Sequence, residues 1–205
     1  MWIKICGMTT AAAVSAAIDA GADAVGFVFA ESPRRVTPQA AAVLARAARG
    51  RVRCVAVTRH PAQREVDEIV NVLRPDLLQS DAADFAALRL PASLGRLPVV
   101  RQGAPAPVAL PERILFEGEA SGSGSVSDWD AARLLAERTQ LVLAGGLNAG
   151  NVAAAIAAVR PFGVDVSSGV EERPGLKSPA EIVKFVLAVR AADGARGATA
   201  SEGPI

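Results

Sequence analysis

The sequence predicts a single α/β domain: a closed barrel of eight parallel strands alternating with helices, with the fifth helix irregular or missing. Three observations lead there. Short apolar runs of strand length alternate with helical patterns along the chain, as they do in parallel sheets. The clearest unit, LVLAGGLNAGNVAAAIAAVRPFGVDVSSGVE over Leu141–Glu171, reads strand, helix, strand, the crossover from which such sheets are wound. Both strands of that unit stop in residues with little or no side chain, Gly145-Gly146 and Ser167-Ser168-Gly169. There the backbone N–H groups of neighbouring strand ends can share one anion, and in eight-unit barrels a phosphate sits after strands seven and eight. The plain alternative is that these glycines are caps and turns. The rival fold is an open doubly wound sheet, but no complete G-x-G-x-x-G turn follows the first strand.

Taken in order, Trp2–Cys6 alternates around Lys4 and ends at Gly7, giving a first strand with Cys6 at its carboxyl end. Thr9 or Thr10 caps a helix that runs to Ala20, with Gly21 as its stop. Ala24–Phe29 is an apolar run of the kind buried on both faces. The loop AESPRRVTP follows, and Thr37-Pro38 opens the next helix in the favoured order. Val52–Val57 is the third strand, the loop TRHP leads to a helix over Ala62–Leu73, and Asp76–Gln79 is a short fourth strand. Asp81–Arg89 reads as helix and Leu97–Val100 as the fifth strand. The stretch RQGAPAPVALPER then holds too many prolines for a regular helix. Ile114–Glu117 is the sixth strand. Its Gly- and Ser-rich loop ends at Ser127 or Asp128, either of which can cap a helix through Glu137. After the unit already described, Ser178 caps a last helix over Pro179–Ala191. Residues 192–205, Gly- and Ala-rich without periodicity, read as a flexible tail, leaving 1–191 as the barrel domain.

With 205 residues, 51% of them hydrophobic, the chain can bury one sizeable core. It is short beside the ~250 residues typical of eight-unit barrels, so its loops must be tight. A formal net charge of +1 gives no electrostatic case for nucleic acid or an anionic membrane. Aromatic content of 4%, with no Tyr, argues against a base-stacking platform. Cys6 and Cys54 lie in apolar segments without metal-ligand spacing, which favours a reduced, cytoplasmic protein. No signal peptide is visible, and no apolar run approaches the ~18 residues of a membrane span.

Side chains at the carboxyl ends of barrel strands converge on one site. Here those positions hold Cys6, Arg34 in the second loop, Asp81, Glu117 and the two Gly/Ser turns. A thiol and a carboxylate can form a general base and acid pair, and Arg34 can grip a substrate carboxylate through its planar fork. Each has a dull reading. A strand Cys is usually inert core, as Cys54 is; Arg34 and Arg35 can be a solvated pair; Glu117 beside Gly118 can simply be exposed. Asp165 within an apolar strand reads as a structural carboxylate, and Lys4, on the same strand face as Cys6, as its partner or as a cation beside the thiol. His60, in a loop before Pro61, has no evident catalytic role.

KICGMT at Lys4–Thr9, GADAVGFVF at Gly21–Phe29, SPRRVTP at Ser32–Pro38, LAGGLNAGNV at Leu143–Val152 and RPFGVDVSSGVE at Arg160–Glu171 together resemble the phosphoribosylanthranilate isomerase family. The resemblance runs from residue 3 to about residue 190. It implies a TIM barrel that often lacks a regular fifth helix. It also implies an intramolecular oxidoreductase of tryptophan biosynthesis, without cofactor or metal. That reaction is an Amadori rearrangement of N-(5-phosphoribosyl)anthranilate to 1-(2-carboxyphenylamino)-1-deoxyribulose 5-phosphate. By position, Cys6 resembles the general base at ribose C2, and Glu117 stands where the family has an Asp as general acid. Arg34 matches the arginine on the anthranilate carboxylate. Gly145, Gly146, Ser168 and Gly169, helped by the loop over Gly122–Gly124, match the phosphate site. Many relatives end strand four in Gln-Leu-His-Gly; this chain has Gln79-Ser80-Asp81-Ala82, so the role of that His passes to Asp81 or is lost. The resemblance implies a small phosphorylated sugar substrate, and the sequence favours a monomer. The competing readings are the sister aminoaldose isomerisation of histidine biosynthesis, which uses paired aspartates, and a phosphosugar-binding protein without turnover.

Overall fold

Eight parallel strands hydrogen-bond in chain order and the last closes on the first. They are β1 (Trp2–Cys6), β2 (Ala24–Val28), β3 (Arg53–Val57), β4 (Leu77–Asp81), β5 (Gly95–Arg101), β6 (Arg113–Glu117), β7 (Gln140–Leu143) and β8 (Gly163–Val166). This is a computed structural model, and it describes residues 1–103, 109–118 and 126–201. Closure sets Lys4 opposite Asp165 across the β1–β8 seam and Cys6 opposite Gly26 on β2.

Alternation along each strand divides the apolar residues into two sets. Leu97, Val99, Leu115, Val142 and Ala144 fill the barrel, closed off by Trp2 and Phe162. Ile3, Ile5, Phe27, Leu78, Ile114, Leu141 and Val164 face outward into a larger cluster shared with the helices. The open sheet is thereby excluded.

The helices begin where the sequence supplies caps. The Thr10 hydroxyl accepts from Ala13 N at the head of α1 (Ala11–Asp19), and Thr37 accepts from Ala40 N ahead of Pro38 in α2 (Pro38–Leu44). In α3 (Gln63–Leu73) Glu65 reaches back to Ala62 N, 2.8 Å. Asp128, rather than Ser127, caps α4 (Trp129–Ala136); the Ser127 hydroxyl instead donates to Ala144 O at 2.8 Å, tying this loop to the end of β7. α5 (Val152–Val159) packs between α4 and α6 (Pro179–Ser201).

Several elements depart from the sequence reading. The helix expected over Asp81–Arg89 is a 3-10 turn, Ala82–Ala86, because β4 runs on to Asp81 and the chain must return to β5 from there. β5 is longer than expected at both ends, and so gains Arg101. No helix occurs between β5 and β6 among the described residues, in line with the prolines there. The loop after β8 holds a small antiparallel hairpin, β9 (Glu171–Arg173) and β10 (Leu176–Lys177), that the reading missed. Finally, α6 continues past Ala191 to Ser201. Alanines 191, 192, 195, 198 and 200 favour helix strongly enough to carry it across Gly194 and Gly197. Residues 202–205, the rest of the proposed tail, lie outside the described residues.

Candidate active site

The mouth of the barrel is lined by the carboxyl ends of the strands, and β1 contributes Cys6. Cys6 is 7% exposed. Gly26 on the neighbouring strand makes room for it: a methyl group there would lie 3.1 Å from Cys6 Sγ and 3.2 Å from Lys4 Cε. Lys4, wholly buried, donates to Asp165 Oδ1 at 2.9 Å. Both readings of Lys4 therefore hold, since its ammonium pairs with Asp165 and also acts on the thiol. Burial alone would lower the Lys4 pKa, but Asp165 and Cys6 more than offset it and keep the side chain protonated. Burial pushes the Cys6 thiol up and the Asp165 carboxylate adds to this, while Lys4 and Lys177 pull it down without prevailing.

Lys177 comes from the unforeseen hairpin. Its ammonium donates to Ser167 O at 3.0 Å, Ser167 Oγ at 3.2 Å and Glu171 Oε1 at 2.7 Å. Glu171 in turn accepts a two-point contact from Arg34, Nε to Oε1 at 2.7 Å and Nη2 to Oε2 at 2.8 Å. These bonds hold the Glu171 carboxyl below its usual range against the upward push of burial. Arg34 thus stands at the site, with one edge of its fork occupied by the protein's own carboxylate. The hairpin is pinned as well: Thr9 Oγ1 donates to Gly175 O at 2.7 Å, and Gly7 presses on Arg34, where a Cβ would meet Cδ at 2.6 Å. Loops after β1, β2 and β8 therefore lock together around Arg34.

On the opposite side of the mouth Glu117 ends β6, and Arg101, its direct partner on β5, donates to Oε1 from Nη1 at 2.6 Å. The same guanidinium reaches Asp81 Oδ1 through Nε at 3.0 Å and Nη2 at 2.7 Å. The two positions at which the sequence departs from the pattern of the family it resembles are therefore joined by one arginine. Asp81 Oδ2 also faces His60 Nε2 at 3.4 Å, and His60 Nδ1 lies 2.9 Å from Asp84. Sequence reasoning missed Arg101, Glu171 and Lys177. A basic residue ending a strand candidate was the one available signal for Arg101, and the short fifth strand hid it.

The ends of β7 and β8 interlock. Gly145 and Gly146 have φ of 93° and 63°, and neither backbone N–H has an acceptor among the described residues. A Cβ on Gly169 would stand 1.9 Å from Leu147 O, so only glycine lets the Ser168–Val170 turn pack against the β7 loop. Gly169 thus lies against Leu147 and Asn148, the residues that follow the Gly145-Gly146 turn. Gly122 and Gly124 fall outside the described residues. Cys54 is buried on β3, its pKa raised to about 11 by burial and Asp76, as befits an inert core thiol. Among the described residues, His60, Asp81 and Asp84 are the one group with metal-ligating atoms close together. The contacts of Asp81 with Arg101 and Arg59 make the group a poor cation site. No helix among the described residues is long and apolar enough to cross a membrane.

The family model described as N-(5'phosphoribosyl)anthranilate (PRA) isomerase matches residues 3–188. The N-(5'-phosphoribosyl)anthranilate isomerase of Azorhizobium caulinodans is 42% identical over 214 residues, covering 94% of this chain and 93% of the relative. The solved phosphoribosyl anthranilate isomerase of Thermus thermophilus superposes with a TM-score of 0.81 at 29% identity, covering 93% of this chain and 99% of that one. A further solved phosphoribosyl anthranilate isomerase holds reduced 1-(o-carboxyphenylamino)-1-deoxyribulose 5-phosphate. It matches with a TM-score of 0.74 at 28% identity, covering 93% of this chain and 99% of that one.

Proposed function

Since this chain belongs to the N-(5'-phosphoribosyl)anthranilate isomerase family, we propose that it converts N-(5-phosphoribosyl)anthranilate to 1-(2-carboxyphenylamino)-1-deoxyribulose 5-phosphate for tryptophan biosynthesis. The observation that supports this reading is a buried thiol, Cys6, and Arg34 at one barrel mouth, with Gly169 packed on the loop after β7, in a chain whose residues 3–188 match the family model.

In this reading Glu117 gives a proton to the furanose ring oxygen as the C1–O bond breaks, leaving a Schiff base between C1 and the anthranilate nitrogen. Cys6, as thiolate, takes the proton from C2. The electron pair of that C–H bond moves into C1–C2, and the Schiff-base nitrogen is neutralised. The enolamine becomes a ketone at C2 when C1 takes a proton from Cys6 and the C2 hydroxyl gives its proton up to Glu117, which restores thiolate and acid, so substrate and product have the same atoms. Lys4 and Lys177 favour the thiolate by their charge. Arg34 contacts the anthranilate carboxylate through the part of its fork that Glu171 does not occupy. Gly145, Gly146, Ser168 and Gly169 take the phosphate, with the Gly122–Gly124 loop completing the cradle. Residues 1–191 supply this machinery. The protein acts in the cytoplasm as a monomer; among the described residues the large exposed apolar side chains, Val43, Val126, Leu134, Val183 and Leu187, are spread over four segments.

Turnover of freshly generated phosphoribosylanthranilate, followed by loss of anthranilate fluorescence, tests the proposal. Turnover at ordinary enzymatic rates supports it. Binding of the reduced product analogue without turnover would leave a phosphosugar-binding protein instead.

A further inference from the structure

We propose that Arg101 is a positioning residue for the acid Glu117, held in place by Asp81, so that Asp81 serves the reaction through Arg101 and not as a ligand of the substrate. The inference rests on the isomerase reading of the site.

Backbone register makes this geometry possible. Arg101 and Glu117 are directly paired across β5 and β6, and Gln102 N donates to Glu117 O at 2.9 Å, fixing the two strand ends against each other. Asp81 is paired with Val99, two residues before Arg101 and on the same strand face, so the guanidinium lies between both carboxylates. All three side chains are mostly buried, at 15%, 15% and 13% exposure for Arg101, Asp81 and Glu117. Two nitrogens of the fork go to one Asp81 oxygen and the third to one Glu117 oxygen.

Division of the fork in this way has a consequence. A glutamate on a strand end has three side-chain torsions and can swing by more than the distance over which proton transfer remains efficient. One charge-assisted bond from a side chain that is itself doubly held removes most of that freedom before substrate arrives. Asp81 is suited to hold the fork because its own carboxylate is short and sits on a strand. His60 Nε2 at 3.4 Å and Arg59 Nε at 3.9 Å flank its outer oxygen. Lysine at position 101 would supply a single charged point and could not span both carboxylates with a rigid fork.

The test compares the full-length parent chain with Arg101→Gln, Arg101→Lys and Asp81→Asn, reading kcat and KM with phosphoribosylanthranilate and the affinity for the reduced product analogue. Circular dichroism melting establishes that each variant is folded. Positioning predicts that Arg101→Gln lowers kcat by about a hundredfold while KM and analogue affinity stay within about threefold. It further predicts that Arg101→Lys restores about a tenth of the parent kcat and that Asp81→Asn lowers kcat about tenfold with unchanged analogue affinity. If Arg101→Gln fails to fold, the other two variants decide. A loss of analogue affinity matching the loss of kcat would make Arg101 or Asp81 a substrate ligand and overturn the proposal, as would unchanged kcat in the folded variants. Absence of turnover in the parent would fell the isomerase reading and this inference with it. Parent turnover with undiminished variants would fell this inference alone.

Discussion

Lys4 and Asp165 form an ion pair inside the barrel, Nζ to Oδ1 at 2.9 Å, with side chains 0% and 8% exposed. The pair spans the seam where the first and last strands meet. Removing one partner leaves the other charge buried without compensation. Lys4→Met is expected to lower the unfolding free energy by about 3–5 kcal/mol, and Lys4→Met with Asp165→Leu to recover most of that loss. Urea titration of the three proteins measures both; a single variant as stable as the parent would show that the pair contributes nothing at the seam.

Cys6 is expected to be mostly thiol at neutral pH, because burial and the nearby Asp165 carboxylate raise its pKa above the ordinary value and the two nearby ammonium groups offset this only in part. Only the thiolate reacts with iodoacetamide. In a Cys54→Ala background the alkylation rate should rise about tenfold per pH unit from pH 7 to 8.5. Lys177→Met removes a charge that pulls the thiol down, so its profile should lie at higher pH. A rate already level at pH 7 would mean a thiolate stabilised far more than these contacts allow.

The acid and base should each matter on their own. Cys6→Ala and Glu117→Ala are expected to lower kcat by about 10²–10⁴-fold. Steady-state turnover of the folded variants decides. Activity surviving Glu117→Ala would move the acid elsewhere, with Asp81 the next residue to replace.

Glu171 holds Arg34 by both of its oxygens and is itself held by Lys177. Glu171→Gln removes the charge from that contact and should let the arginine wander, raising KM about tenfold with kcat changed less than about threefold. Initial-rate kinetics over a range of substrate concentrations separates the two. An unchanged KM would show that Arg34 needs no such support.

At Gly169 a methyl group has no room, since Leu147 O would lie 1.9 Å away. Gly169→Ala should displace the β7 loop and cost about 1–3 kcal/mol of stability. It should also weaken competition by inorganic phosphate at least about tenfold, if the two strand ends share one anion. Thermal melting and phosphate inhibition curves check the two effects separately.

The sequence by itself determined the barrel and most of its mouth. Strand and helix periods, Thr and Asp caps and glycine stops are local signals, and they located each barrel strand to within a few residues and all six α-helices of the described residues, while adding one over Asp81–Arg89 that is a 3-10 turn. Cys6, Arg34, Glu117 and the Gly/Ser turns were legible because strand ends are readable and barrels gather them. What only the tertiary structure decided is how these groups are held. Arg101, Glu171 and Lys177 act through partners 16, 137 and 6 residues away, and a local pattern carries no signal for a charge whose partner is set by register and closure. Lys4 could be weighed against Asp165 on paper, but the seam that joins residues 161 positions apart exists only once the eighth strand meets the first. Short-range periodicity fixes what each segment becomes; closure of the sheet fixes which charges meet.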